Sequence, residues 1–263
     1  MTVRIERPFR TIGPIFQGSG ISQETGKRLA DAGLKKALVI YDKGIEAAGI
    51  GPKIAQTIKD AGLVVVESNL VQADPPDTSV NMIAEIGRRE EVDCIVAVGG
   101  GSTIDTAKGV NVLLTNPGEI GIYFDRTIPQ KPGKYLVAMP TTAGTGSEST
   151  GGGIVTNTEV QVKGVIAGAA TVANLILVDP DLTLGVPPYV TATTGFDALA
   201  HAIDGMLSIF ANDITKSIAS ETIRLFNANI EEVVTNGKNV EARNNMLTAA
   251  SLGGLIITGA NCS

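Results

Sequence analysis

The apolar run from Cys94 to Val98 has strand composition and ends abruptly in Gly99-Gly100-Gly101. Ser102 follows, and a helix-compatible stretch begins near Thr103. A strand, a glycine turn and a helix in that order present free backbone N–H groups at a helix N-terminus. Those groups and the helix dipole favour an anion such as a phosphate. Three glycines leave no Cβ in the way of its approach. A plain β–α turn is the alternative, but three glycines in a row followed by serine favour the phosphate reading.

The chain around this turn alternates short apolar runs with amphipathic stretches. Strands are expected over 11–17, 36–41, 63–67, 92–98, 135–139 and 175–178, with a hairpin over 151–155 and 160–166. Helices are expected over 22–32, capped by Ser22 with Glu24 in the first turn, and over 51–61, 78–90 and 103–114. Continuous apolar strands between amphipathic helices predict a parallel sheet covered on both faces. Ligands in such sheets sit beyond the carboxyl ends of the strands, where Asp42 and Gly99 both lie. Residues 116–134, with Pro117, Pro129 and Pro132, read as a looser connection. From Pro188 the strand signals stop, and helices are expected over 191–209, 215–229 and 242–257. The fold class expected is therefore α/β, a parallel-sheet domain over 1–183 followed by an all-α helical domain over 184–263.

Composition narrows the partners. Hydrophobic residues make up 43% of the 263 and charged residues 18%, enough apolar content for a large buried core. A net charge of −6 with no basic cluster argues against nucleic acid as the main partner. No apolar run reaches transmembrane length, and Met1 to Arg10 alternates charged and apolar residues. Neither a signal peptide nor a membrane anchor is expected, which makes the cytoplasm the default location. Cys94 and Cys262 give no disulfide framework and no paired metal-ligand spacing.

Three further features carry chemistry. Asp42 follows a buried strand, where a carboxylate can bind both ribose hydroxyls of an adenosine and repel a 2′-phosphate, favouring NAD over NADP. An Asp that merely opens a turn is the alternative. Residues 140–148, Pro-Thr-Thr-Ala-Gly-Thr-Gly-Ser-Glu, supply hydroxyls at the end of another strand as a second cleft wall, or a surface loop. Asp197 and His201, four apart on a helix, share one face and suit a divalent first-row metal. An ordinary hydrogen-bonded pair is the alternative.

Together these stretches resemble the iron-containing (group III) alcohol dehydrogenase family. The resemblance rests on GGGSTIDTAK at 99–108, PTTAGTGSE at 140–148, VDPDL at 178–182 and TGFDALAHAID at 194–204, four motifs in the family's order and spacing. It implies an N-terminal dinucleotide-binding domain and a C-terminal helical domain holding a catalytic metal, Fe2+ or Zn2+. Carried over, Asp42 faces the adenosine ribose, while Gly99, Gly100, Gly101 and Ser102 hold the pyrophosphate. Thr141, Thr142, Thr145 and Lys163 line the rest of the cleft, Asp105 sits at the nicotinamide end, and Asp197 and His201 are the first two metal ligands.

The implied reaction passes a hydride between a small alcohol or aldehyde and NAD. Polyol dehydrogenases and hydroxyacid transhydrogenases of the same superfamily are the alternative, and the complete protein is expected to be a homo-oligomer. Two positions depart from the family pattern. Asp74 precedes Pro75 where many members have Asn, which puts a carboxylate beside the expected cofactor. Members also supply two more histidines beyond the position matching Ser263, and this sequence has one histidine in all. The chain is therefore expected to be a fragment with two of four metal ligands, and alone to bind a dinucleotide without catalysis.

Overall fold

The computed structural model describes residues 12–260. Met1 to Arg10, Thr11 of the first expected strand, and Cys262 lie outside the described residues. The chain runs β1 (Ile15–Gln17), α1 (Thr25–Asp31), β2 (Lys36–Asp42), α2 (Lys43–Ala47), α3 (Ile50–Asp60), β3 (Val64–Val71) and α4 (Asp77–Arg89). It continues through β4 (Cys94–Gly99), α5 (Gly101–Thr115), β5 (Tyr135–Pro140), β6 (Gly152–Asn157), β7 (Val162–Ala167) and β8 (Leu175–Val178). Three long helices follow, α6 (Pro188–Leu207), α7 (Asp213–Thr235) and α8 (Val240–Ala260). Among the described residues no helix is long and apolar enough to cross a membrane.

Six strands form one parallel sheet in the order β1-β8-β5-β4-β2-β3, and β6 with β7 makes a separate antiparallel hairpin. Every residue of β4 is buried. Alternate side chains of β2 and β4 feed two cores. Leu38, Ile40, Ile95 and Ala97 pack with α4 and α5 on one face. Ala37, Val39, Val96 and Val98 pack with α1 and α3 on the other. Each such aliphatic side chain contributes about 1.5–3 kcal/mol by leaving water, which is why the central strands read as unbroken apolar runs.

The helices after the adjacent strands β2 and β4 lie on opposite faces of the sheet. Their carboxyl ends therefore open a crevice at the point where the winding reverses, the usual ligand position in such sheets. Asp42 ends β2 and Gly99 ends β4.

The start of α1 differs from the expectation. Ser22 does not cap it: a 3-10 turn, Ile21–Glu24, comes first, preceded by Gly20 at φ 77°. Ser22 is buried, and its N–H donates to Asp179 Oδ2 at 3.0 Å. Gly20 N and Asp181 N donate to Asp179 Oδ1, each at 3.0 Å. A buried carboxylate just after β8 thus organises the chain entering α1, and a contact of that range in sequence outcompetes a local serine cap. Glu24 pairs with Arg28 instead, at 2.8 Å.

Candidate functional site

Gly100 caps α5 with extended backbone and no capping side chain. Thr103 N and Ile104 N both donate to its carbonyl, at 3.0 and 3.1 Å. The donors ahead of them, on Gly101 and Ser102, face the crevice end of the helix without a side-chain cap, which is the arrangement an anion needs. None of the three glycines has positive φ. Their lack of a side chain serves close approach, and what approaches first is protein. A Cβ on Gly99 would meet Thr103 Oγ1 at 2.2 Å, one on Gly100 would meet Thr142 Oγ1 at 3.0 Å, and one on Gly101 would meet Thr145 Cγ2 at 2.7 Å. The expected open path for an anion is thus narrower, because a hydroxyl wall already rests on the turn.

That wall follows β5. Thr141 is buried and donates its N–H to Gly99 O at 3.1 Å, which ties the two strand ends together. Gly144 packs against Thr194 of α6, and Gly146, at φ 59°, packs against Ala250 and Gly254 of α8. The segment is therefore held between the glycine turn and two of the long helices, and is not a free surface loop.

Beneath it lies a group of three charges, of which sequence reasoning singled out Asp105 alone. Lys108, fully buried on α5, donates to Ser147 O at 2.6 Å, to Thr150 Oγ1 at 2.7 Å and to Gly152 O. Asp105, one turn earlier, accepts from Ser147 Oγ and from Ile154 N at 3.0 Å, with Lys108 Nζ 4.0 Å away. Glu148 is buried and accepts from Ser251 Oγ of α8 at 2.7 Å. Burial raises the carboxyl pKa of Asp105 and of Glu148 above the ordinary carboxylate range, although Lys108 pulls both down. The only local signal was the three-residue spacing of Asp105 and Lys108, which places them on one face of a helix. Asp105, expected at the nicotinamide end, has both carboxylate oxygens engaged by this segment.

Burial lowers the Lys108 ammonium from its ordinary 10.5 to about 8, with Asp105 and Glu148 opposing the shift. Between those values the unfolded chain holds a proton that the folded chain has released. Its contribution to stability therefore rises as pH increases from about 8 towards 10.5. Lys108→Met should flatten that rise. Urea unfolding of both chains between pH 7 and 10 checks it, and equal slopes would contradict the lowered value.

The other expected cofactor residues sit around the same crevice. Asp42 caps α2, accepting from Ile45 N at 2.8 Å through Oδ1. The turn-opening role weighed against ribose binding is thus present, and it occupies one of the two oxygens. Asp74 and Lys163 meet each other, Nζ to Oδ1 at 2.6 Å, both largely exposed. Such a pair contributes about 0–1 kcal/mol, yet it offsets the charge of the Asp74 carboxylate. Asp74 has φ 49°, a conformation that Asp and Asn adopt more readily than other side chains. The β6–β7 hairpin carrying Lys163 is docked by Thr156 N donating to Pro75 O at 2.8 Å, and by Thr158 Oγ1 donating to Asp77 Oδ1 at 2.7 Å.

On α6, His201 Nε2 lies 3.6 Å from Asp197 Oδ1. His201 Nδ1 is buried without a hydrogen-bond partner, beside Gly253 of α8. One carboxylate and one imidazole match the donor chemistry of a first-row metal. Among the described residues, however, no three His, Cys, Asp or Glu side chains stand close enough to hold one. The pair fits part of a metal site and does not complete it.

Comparison with known proteins gives one consistent picture. The sequence pattern of the iron-containing alcohol dehydrogenases matches residues 13–180, and that of the C-terminal region of the Fe-containing alcohol dehydrogenase family matches 191–262. A choline dehydrogenase of Bacillus subtilis (strain 168) is 39% identical over 245 residues, 92% of this chain and 61% of that protein. A 1,3-propanediol dehydrogenase of Klebsiella pneumoniae is 38% identical over 248 residues, 94% of this chain and 64% of that protein. Among solved structures, a 1,3-propanediol oxidoreductase superposes with a TM-score of 0.92 at 37% identity, covering 98% of this chain and 68% of that one. The sulfoacetaldehyde reductase of Bifidobacterium kashiwanohense in complex with NAD+ gives 0.90 at 29% identity, covering 97% and 68%. The chain spans about three-fifths of the length of the curated relatives it matches.

Proposed function

Because the chain belongs to the iron-containing alcohol dehydrogenase family, we propose that it supplies the dinucleotide cleft, and part of the metal site, of an NAD-dependent dehydrogenase acting on a small alcohol or aldehyde. The observation that carries this reading is the uncapped start of α5, set where the winding of the sheet reverses and walled by Thr141, Thr142 and Thr145. Bound NAD would supply the hydride acceptor, and Fe2+ or Zn2+ the Lewis acidity at the substrate oxygen.

Gly101 and Ser102 N–H donate to the pyrophosphate, and the threonine hydroxyls donate from the facing wall. The Asp42 oxygen left over from capping α2 accepts from a ribose hydroxyl and repels a 2′-phosphate. Lys163 closes the cleft mouth from the hairpin, with Asp74 balancing its charge. Asp105 borders the nicotinamide end and keeps the wall in place. The cofactor residues fall within 1–183, and Asp197 and His201 within 184–263. With a net charge of −6, a small molecule in the cytoplasm suits the chain better than nucleic acid.

A second reading is favoured by the two-donor metal pair: the chain as it stands binds a dinucleotide without turnover. Titration with NADH and NADPH, followed by assay against alcohols, polyols and 2-hydroxy acids with NAD and Fe2+ or Zn2+, tests both. NADH should bind about fivefold more tightly than NADPH, since one charge repulsion screened as in water costs on the order of 1 kcal/mol. Asp42→Ser should narrow that gap. Absence of NADH binding overturns the proposal, and robust metal-dependent turnover overturns the second reading.

A further inference from the structure

Lys108 is the largest completely buried side chain among the described residues, and the proposed reaction does not use it. Burying an ammonium is costly unless its protons are all received. Here three protons are offered to five acceptors, all within residues 147–152: Ser147 O and Oγ, Thr150 O and Oγ1, and Gly152 O. That stretch has little regular pairing of its own, only the 3-10 turn Ser147–Ser149 before β6 begins. Asp105 holds it from the same helix face through Ser147 Oγ and Ile154 N. Gly153 closes over both side chains, since a Cβ there would stand 3.3 Å from Asp105 Oδ1 and 3.4 Å from Lys108 Cδ. The residues immediately upstream, Thr142 and Thr145, are the ones that press on Gly100 and Gly101.

We propose that Lys108 is a positioning residue of the dinucleotide cleft, clamping residues 147–152 onto α5 and so fixing where Thr142 and Thr145 stand against the glycine turn. An ammonium suits the task because it is compact and directs its three donors to backbone and hydroxyl oxygens that arrive from different directions. An apolar side chain of the same length would leave Ser147 O, Thr150 Oγ1 and Gly152 O without this donor, and the segment would move to find others. Lys108 touches neither cofactor nor substrate; it acts through the wall. The inference rests on the dinucleotide reading given above.

The test measures NADH affinity and thermal stability in parallel for wild type, Lys108→Met and Thr150→Val. The second variant removes one acceptor, keeps the ammonium and is the milder change should Lys108→Met fail to fold. Loss of a buried, charge-assisted contact should weaken NADH binding about tenfold or more in Lys108→Met, and about threefold in Thr150→Val. Each change is then repeated in a Thr145→Ala background. A positioning role predicts that the losses in affinity shrink there while the losses in melting temperature persist. Melting temperatures that fall while NADH affinity stays at the wild-type value in both variants would overturn the proposal and leave the dinucleotide reading standing. Failure of the wild-type chain to bind NADH would overturn both.

Discussion

Gly101→Val is expected to abolish NADH binding while leaving the chain folded. Valine is acceptable at the first position of a helix, and Gly101 does not need positive φ, so the backbone itself imposes no penalty. The cost comes from space. The first carbon alone would stand 2.7 Å from Thr145 Cγ2 and 2.8 Å from its Oγ1, and valine adds two methyl groups beyond it. Overpacking of this kind costs about 1–3 kcal/mol, which a well-packed α/β core can sustain. The anion site has no such reserve, because the same methyl groups cover the α5 donors and push the threonine wall outward. Affinity should fall by about a hundredfold or more if two charge-assisted bonds are lost. A second pair of variants separates the two causes. If Gly101→Ala weakens binding by displacing Thr145, then Gly101→Ala with Thr145→Ala recovers part of it; if the Cβ blocks the anion directly, the double variant is as weak as the single. NADH fluorescence and circular dichroism melts read both, and wild-type affinity in Gly101→Val would remove the phosphate role from the turn.

The middle of the sheet was legible because its central strands are buried on both faces. Ala37 to Tyr41 and Cys94 to Val98 have no polar position to blur the pattern, so they stand out from composition alone. Short elements were not legible. The helix Lys43–Ala47 spans five residues, too few to show a period, and only the cap from Asp42 marks it. Ser22 was expected to cap α1, but Asp179, more than 150 residues downstream, takes the N–H groups of Gly20 and of Ser22 itself and so sets the turn that precedes the helix. The site divides along similar lines. Glycines at 99–101 announce a crowded turn, but a sequence does not say what crowds it. Thr142 and Thr145 were named as a second wall on motif grounds, and their contact with Gly100 and Gly101 is visible only in three dimensions. Lys108 and Glu148 look like ordinary surface charges of a helix and a loop. Their burial depends on Gly152 and Gly153 folding back over α5 and on α8 arriving from the far end of the chain. Asp74 and Lys163 were weighed separately, one as a liability and one as a ligand, although they form a single ion pair.

Two neighbouring glycines of α8 should respond to the same substitution with opposite signs. Alanine in place of helical glycine is intrinsically favourable by about 0.8–1 kcal/mol. At Gly253 the new carbon would meet His201 Cβ and Nδ1, both at 3.6 Å, and Ala198 O at 3.8 Å, all ordinary contacts. Gly253→Ala should therefore leave stability unchanged or raise it by up to about 1 kcal/mol. At Gly254 the carbon would lie 2.1 Å from Gly146 O and 2.9 Å from Gly146 C. Those are backbone atoms, so no rotamer change relieves the clash. The close fit runs both ways, since a Cβ on Gly146 would lie 2.3 Å from Ala250 O and 2.5 Å from Gly254 N. Gly254→Ala should destabilise by at least about 2–3 kcal/mol, overpacking outweighing the propensity gain. It should also pull Ser251 from Glu148 and loosen the wall that bears on Gly101, so NADH binding should weaken along with stability. Thermal melts of the two variants beside wild type decide the matter. A Gly254→Ala chain as stable as Gly253→Ala would mean that α8 does not hold the loop. In that case residues 140–148 would be placed by α5 and by the contact of Gly144 with Thr194 of α6, with α8 contributing nothing.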